Sequence, residues 1–364
     1  MDKAILESSN PILQEDLENI VERSMPALEQ MNGSTVLVTG ATGLIGSLAV
    51  QALACANRVK KTNINILAFV RDEAKAEHVL GHIIHRPDVK LIIGNVNEKI
   101  TIGQKVDFII HGANPTDSKY FVTHPVETIK TILTGTESIL ELALQKKIKS
   151  MVYLSSMEVY GQFPNEVKNV TEDKLGYIDI LDIRSSYSEG KRMAECMCAS
   201  YAAEYGVHVK IARISRIIGP GIVDKNDNRI LTQFARCVAE HRDIVLHSTG
   251  ETLLNYCYTA DALAAIFTLM VKGKDGEAYN VTNDKDVLSV KELAETLAGK
   301  YSDSGIKVIY DIPDDASKYG YNKISTHILS NNKVEALDYI FEINLANTFK
   351  RLIESFELGA SFHR

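Results

Sequence analysis

The sequence predicts an α/β fold, a doubly wound parallel sheet with a smaller C-terminal lobe, and three observations carry that prediction. The first is a glycine turn, Gly40-Ala41-Thr42-Gly43-Leu44-Ile45-Gly46, set between an apolar β-rich run at 35–39 and helix formers with one apolar face at 47–54. The second is the alternation after it: apolar strand-like runs at 64–70, 89–94, 106–111, 150–156 and 207–214 are interleaved with helical patterns such as 126–145 and 187–205. Apolar strands alternating with helices imply a parallel sheet covered on both faces. The third is that this alternation loosens beyond Gly219-Pro220-Gly221.

The elements divide the chain into three stretches. Residues 1–33 form an N-terminal helical extension: Asn10-Pro11 precedes a run that places Leu13, Leu17, Ile20 and Val21 on one side of a capped amphipathic helix. That helix is expected to pack on the body, with a lid as the alternative. Residues 34–218 hold the six strands of the main sheet. Residues 219–364 are expected to build the smaller lobe on the substrate side, with some segments returning to the main sheet.

Bulk properties exclude several function classes. The 364 residues are 45% apolar and 24% charged, with a net charge of −7, which argues against binding nucleic acid or an anionic membrane. No run approaches the ~18–20 apolar residues of a membrane span. The start, Met1-Asp2-Lys3-Ala4-Ile5-Leu6-Glu7, lacks the apolar core of a signal peptide, so a cytoplasmic location is expected. The cysteines (55, 196, 198, 237 and 257) are scattered. Cys196 and Cys198 stand two apart on a helical stretch, on different faces, so no metal is expected.

Strand, tight glycine turn and helix make the first half of a dinucleotide-binding βαβ unit. The glycines let bare backbone N–H groups and a helix start approach a pyrophosphate. A second motif, Tyr187-Ser188-Glu189-Gly190-Lys191, sets a phenol and an ammonium four residues apart on one helix face. A free phenol has a pKa of about 10, and moving it near 7 takes about 4 kcal/mol of preferential phenolate stabilisation. One ammonium ~4 Å away, at an effective dielectric near 20, is worth about that much. Such a phenol suits removal of a hydroxyl proton as hydride leaves the same carbon, or the reverse. Ser156, ending the fifth strand, is placed to hydrogen-bond the same oxygen, at the sheet end where parallel α/β folds bind ligands.

In these residues the chain resembles the extended short-chain dehydrogenase/reductase family, in its NAD(P)-dependent nucleotide-sugar epimerase/dehydratase branch. The resemblance runs over roughly 35–300 and rests on the glycine turn, His111-Gly112-Ala113, Gly135-Thr136, Ser155-Ser156-Met157-Glu158-Val159-Tyr160-Gly161, Tyr187-Ser188-Glu189-Gly190-Lys191-Arg192 and Gly219-Pro220-Gly221. It implies a Rossmann fold and a Ser156/Tyr187/Lys191 triad, with Lys191 also on the nicotinamide ribose. It also implies a nucleotide-linked sugar as substrate and a homodimer formed through the helices around 126–145 and 187–205. Cofactor contacts fall on Gly40, Thr42, Gly43, Leu44, Ile45, Gly46, Arg71, Asp72, Asn95, Val96, Gly112, Ala113 and Lys191, and substrate contacts on Asn114, Ser156 and Arg216.

Departures from the family pattern narrow the branch. Dehydratases of the family resemble Thr-Asp-Glu where this chain has Ser156-Met157-Glu158. Glu158 keeps a carbon-acid base, but thioether Met157 has no proton to donate, which disfavours 4,6-dehydration. The stretch from Tyr187 to Glu195 is similar to UDP-glucuronate decarboxylases. Glu158 has a second reading, as a structural carboxylate capping the following turn. Arg216 replaces a common Asn, and Leu254 replaces an Arg that clamps the substrate diphosphate; leucine has no fork for phosphate. The second strand ends in Arg71-Asp72, so the cofactor is NAD or NADP, with Arg71 tilting toward NADP and Asp72 as the competing ribose contact. Asn95 stands where an Asp usually touches adenine. The expected activity is an epimerase/dehydratase-type oxidoreductase, with an NADPH-dependent keto-sugar reductase as the alternative and a non-catalytic cofactor-binding sensor as a distant third.

Overall fold

The computed structural model describes residues 6–163, 167–221, 229–312 and 327–361. Helix α1 (Pro11–Arg23) starts where Asn10 accepts the N–H groups of Ile12 and Leu13, and Pro11 takes the first-turn position that needs no donor. A short α2 (Met25–Gln30) follows. Strand β1 (Thr35–Thr39) is buried throughout, and the glycine turn after it opens α3 (Leu44–Lys60). Next come β2 (Asn65–Val70), α4 (Glu73–Leu80), β3 (Val89–Ile93), β4 (Phe108–His111), α5 (Ser118–Thr123), α6 (Pro125–Lys146), β5 (Ser150–Ser156) and α7 (Ser185–Tyr205). The chain continues through β6 (Val209–Ile214), β7 (Arg216–Ile218), α8 (Ile230–Ala239), β8 (Ile244–Leu246), β9 (Leu253–Tyr258) and α9 (Thr259–Lys272). Last are β10 (Ala278–Val281), β11 (Asn283–Ser289), α10 (Val290–Lys300), β12 (Val308–Tyr310), α11 (Asn332–Glu335) and α12 (Leu345–Ser361).

Seven strands form one sheet in the order β3-β2-β1-β4-β5-β6-β10, and every neighbouring pair is parallel. Strand β10 is the returning segment and closes the edge beside β6. The chain works outward from β1 in one direction and then from β4 in the other, so a crevice opens at the carboxyl ends of those two strands. Two small sheets, β11-β9-β7 and β12-β8, make the C-terminal lobe.

Two strands start later than the apolar runs predict. At β4, Asp107 turns its carboxylate to accept the Thr35 N–H at 3.1 Å, which ends the regular ladder before Phe108. At β6, the Val209 N–H turns back onto the Val207 carbonyl at 2.9 Å.

Apolar layers cover both faces of the main sheet. Leu48, Leu53, Leu263 and Phe267 from α3 and α9 fill one, together with Leu17 and Ile20 of α1. Ile132, Ile139 and Ala194 from α6 and α7 fill the other. Leu17 and Ile20 are fully buried, worth about 1.5–3 kcal/mol each against exposure. Polar contacts fasten the same helix at two further points. Arg23 pairs with Asp261 and reaches the Tyr339 hydroxyl at 3.0 Å. Asp16 accepts from the Tyr258 hydroxyl and from Arg351 at 2.7 Å.

Candidate active site

The crevice between β1 and β4 is shaped by absent side chains. Gly40 has φ +69°, and a Cβ there would lie 2.6 Å from the Gly112 carbonyl oxygen. A Cβ at Gly46 would lie 2.1 Å from the Gly40 oxygen. Only glycine permits this turn and this approach of helix to strand. Gly43 opens α3 with no side-chain cap, which leaves first-turn N–H groups for an anion. Thr42, Leu44 and Ile45 are half-buried around it, and Leu44 touches the chain at Gly221, where a Cβ would meet its Cδ1 at 2.6 Å. Beyond Gly112 and Ala113, both amide atoms of Asn114 are buried and have no hydrogen-bond partner among the described residues. An anion-seeking helix start beside an unsatisfied amide fits a dinucleotide.

The outer contacts are partly committed elsewhere. Arg71 is exposed after β2, whereas Asp72 caps α4 by accepting the Lys75 N–H at 3.0 Å. Asn95 turns its Oδ1 onto the Asn97 N–H at 3.1 Å. Val96 is buried under Gly135, where a Cβ would lie 2.9 Å from its Cγ2, so its side chain packs the wall. His111 ends β4 with Nδ1 2.7 Å from the Thr39 hydroxyl. Burial and the neighbouring Lys191 charge push it down to about 3, which keeps the ring neutral.

The structure brings Ser156, Tyr187 and Glu158 together. Tyr187 stacks on Phe121, centroids 4.2 Å apart and planes 11° from parallel. Burial raises the phenol above its ordinary value and the Glu158 charge adds to that, while the nearby Ser156 hydroxyl and the Arg184 charge pull it down. Glu158 is held at both oxygens, by Arg184 Nη2 at 3.0 Å and by the Ser188 hydroxyl at 3.1 Å. The turn after β5 is capped by Ser156, which accepts the Glu158 N–H at 3.2 Å, rather than by Glu158.

Lys191 lies buried near Tyr187 with a partner of its own. Its Nζ donates to the Leu154 carbonyl at 2.7 Å and stands 4.7 Å over the Tyr153 ring and 5.8 Å from the Tyr187 centroid. Burial pushes it down to about 7, against the Glu195 charge. The charges that act most on the phenol come from Glu158 and Arg184, while the Lys191 contact to the Leu154 carbonyl ties α7 to β5.

A cavity of about 540 Å³ adjoins this group, with Ser156, Met157, Glu158, Ser215, Arg216 and His327 in its wall. None of the described residues in that wall belongs to the N-terminal extension, so α1 is not a lid over it. Arg216 meets Met157 Sδ at 3.3 Å. Position 254 lies in β9 with its backbone paired to Leu288, and its side chain lies outside the described residues. Sequence reasoning did not single out Phe121, Arg184, Ser188 or His327. Arg184 stands three residues before Tyr187, a spacing that places both at the start of one helix. Nothing local marks Phe121 or His327, which arrive from α5 and from far along the chain. Among the described residues no cluster of metal-ligating side chains is present, and no helix is long and apolar enough to cross a membrane.

Known proteins share this fold and sequence pattern. The pattern of the NAD dependent epimerase/dehydratase family matches residues 36–282. The chain is 31% identical over 282 residues to UDP-glucuronic acid decarboxylase 6 of Arabidopsis thaliana, covering 77% of this chain and 78% of that protein. Among solved structures, an epimerase from Methanothermobacter thermautotrophicus superposes with a TM-score of 0.78 at 18% identity, over 94% of this chain and 97% of that one. The UDP-glucose 4-epimerase of Thermotoga maritima gives 0.75 at 19% identity, over 90% and 99%. These structures share the fold. The family match over the whole dinucleotide half and the decarboxylase likeness go further: the chain belongs to the NAD-dependent epimerase/dehydratase family.

Proposed function

We propose that the protein is an epimerase/dehydratase-type oxidoreductase of a nucleotide-linked sugar, with Tyr187 as the acid/base of the redox step. The observation that carries it is the juxtaposition of Tyr187 with Ser156 and Glu158, both of which line the cavity. When bound, a nicotinamide dinucleotide supplies the hydride acceptor and donor. Gly40, Gly43 and Gly46 would seat its pyrophosphate, Asn114 and Lys191 its nicotinamide end, and Arg71 a 2′-phosphate if the dinucleotide is NADP. Tyr187 takes the proton of a ring hydroxyl and returns it, while Ser156 fixes that oxygen and Phe121 fixes the plane of the ring. Glu158, held by Arg184 and Ser188, is poised to take a proton from a carbon next to the resulting ketone. Met157 has no proton for a leaving hydroxyl, so the reading disfavours a 4,6-dehydratase and favours epimerase or decarboxylase chemistry.

The exposed Val126, Ile129 and Met193 on α6 and α7 support a homodimer across those helices. Five unpaired thiols accord with a cytoplasmic setting. Denaturing the purified protein, identifying the released dinucleotide and screening nucleotide sugars for product tests the assignment. Tyr187→Phe should lower turnover about 100- to 10,000-fold and leave dinucleotide binding in place. Wild-type-like turnover in that variant would remove Tyr187 from the mechanism. The second reading, an NADPH-consuming reductase, rests on exposed Arg71 beside an Asp72 committed to its helix cap. It requires Arg71→Ala to change the NADPH/NADH preference, together with net cofactor consumption.

A further inference from the structure

Arg216 occupies an unusual position for a guanidinium. It sits in the wall of the cavity, and its hydrogen-bond contact among the described residues is a thioether, Met157 Sδ, at 3.3 Å from Nη1. Among the described residues no carboxylate or carbonyl pairs with it. Sulfur is a weak acceptor, whereas a guanidinium carries five donors in a rigid fork. Burial accordingly pulls the group below its ordinary pKa, against the Tyr256 and Glu158 charges. The preceding residue repeats the pattern: the Ser215 hydroxyl is 7% exposed, lines the same cavity and has no partner. Two adjacent donors, one of them cationic, thus face one space and are both unsatisfied by the protein.

Taking a charge out of water without a counter-charge is costly, so such a residue is retained where something else completes it. The acids in the wall do not: both oxygens of Glu158 are held by Arg184 and Ser188, and Asp179 and Asp182 accept the Leu181 and Arg184 N–H groups on the α7 side. His327, also in the wall, is kept neutral, since burial and the Arg216 charge push it down to about 4. The cavity is therefore cationic on the β7 side. Because Arg216 meets Met157, the residue after Ser156, its fork lies within one side chain of Ser156.

We propose that Arg216 and Ser215 form an anion-receiving subsite that takes a phosphoryl or carboxylate group carried by the sugar substrate, with the Met157 thioether lying against the guanidinium in the free protein. Both oxyanions offer the two acceptor oxygens that suit the fork. This deepens the nucleotide-sugar reading and rests on it for the identity of the ligand, but not for the existence of the subsite.

Calorimetric titration of the full-length protein with UDP, UDP-glucose and UDP-glucuronate tests it. Arg216→Met should weaken binding about 10- to 100-fold, as expected for lost charge-assisted hydrogen bonds. Arg216→Lys should recover part of that loss, and Ser215→Ala should cost less. An equal loss on all three probes assigns the diphosphate to the subsite, and a loss confined to UDP-glucuronate assigns the sugar carboxylate. Unchanged affinity of Arg216→Met for probes that bind the wild type overturns the proposal. Should the wild type bind none of the three, the nucleotide-sugar reading fails, and inorganic pyrophosphate and free glucuronate then carry the test. A rise in melting temperature with either anion that Arg216→Met abolishes upholds the subsite, and no rise with either overturns it.

Discussion

Arg213 and Arg216 lie three residues apart, one near the end of β6 and the other opening β7, and the protein treats them in opposite ways. Arg213 is clasped by Glu195 through Nη2 at 2.7 Å and Nε at 3.1 Å, and its Nη1 reaches the Tyr160 hydroxyl at 3.1 Å and the Glu172 carbonyl at 2.8 Å. Although burial opposes the charge, these partners raise the guanidinium above its ordinary value. Arg216 has a sulfur, and burial lowers it. The first is finished by the fold and belongs to its architecture. The second is left for a ligand to finish. The contrast separates structural charge from functional charge without reference to any relative.

The largest expected effect falls on the finished side. Arg213→Met leaves Glu195, 9% exposed at its side chain, as a buried carboxylate beside Ser155 without its cation. Breaking such a pair costs about 3–5 kcal/mol, to be read from urea unfolding. Replacing both partners with apolar residues (Arg213→Met with Glu195→Met) should recover most of that loss, because no uncompensated charge remains. A single variant within about 1 kcal/mol of wild type would mean that Arg213 is no more anchored than Arg216.

How far the sequence foretells these two regions differs for a physical reason. Features set by local spacing were readable: the glycine turn, the Asn10 cap of α1, and β5, whose span at 150–156 matches the apolar run. The nearness of Ser156 to Tyr187 was read from the strand end, and Glu158 entered through the resemblance to the family. Features made by tertiary approach were not. Phe121 comes under Tyr187 because α5 folds back, and Arg184 finds Glu158 across 26 residues. Spacing placed Lys191 on the face of Tyr187 but did not determine where its flexible stem would point, and the Leu154 carbonyl takes the ammonium. Arg216 was visible as a departure from the family pattern. That it lacks a partner is a property of everything around it, which no motif contains.

The next effect is smaller and concerns the unfinished side. Arg216→Met removes a poorly compensated cation and places one thioether against another. Its stability in the same urea titration should stay within about 1 kcal/mol of wild type, or rise, even though anion binding falls. A loss as large as that of Arg213→Met would show that Arg216 is a structural group whose partners complete it in solution, and the contrast between the two arginines would fail.

A third charged cluster stands between these extremes and gives the finest test. Asp16 of α1 is 3% exposed and bound by Arg351 and the Tyr258 hydroxyl, yet burial outweighs those partners and raises its carboxyl to about 6. An unfolded aspartate titrates near 3.9. Between those values the folded chain holds more protons than the unfolded one, so stability from this group is full below about 4 and is lost as pH rises through about 6. Asp16→Asn has no such titration. The melting temperature of wild type relative to Asp16→Asn should therefore fall by about 1–3 °C between pH 4 and 7, a small shift because Arg351 already offsets much of the charge. A difference that rises over that range would mean that Arg351 and Tyr258 overcome burial and hold the carboxylate ionised. Asp16 would then stand with Arg213 among the charges that the fold completes, and the fastening of α1 to β9 and α12 would strengthen, not weaken, toward neutral pH.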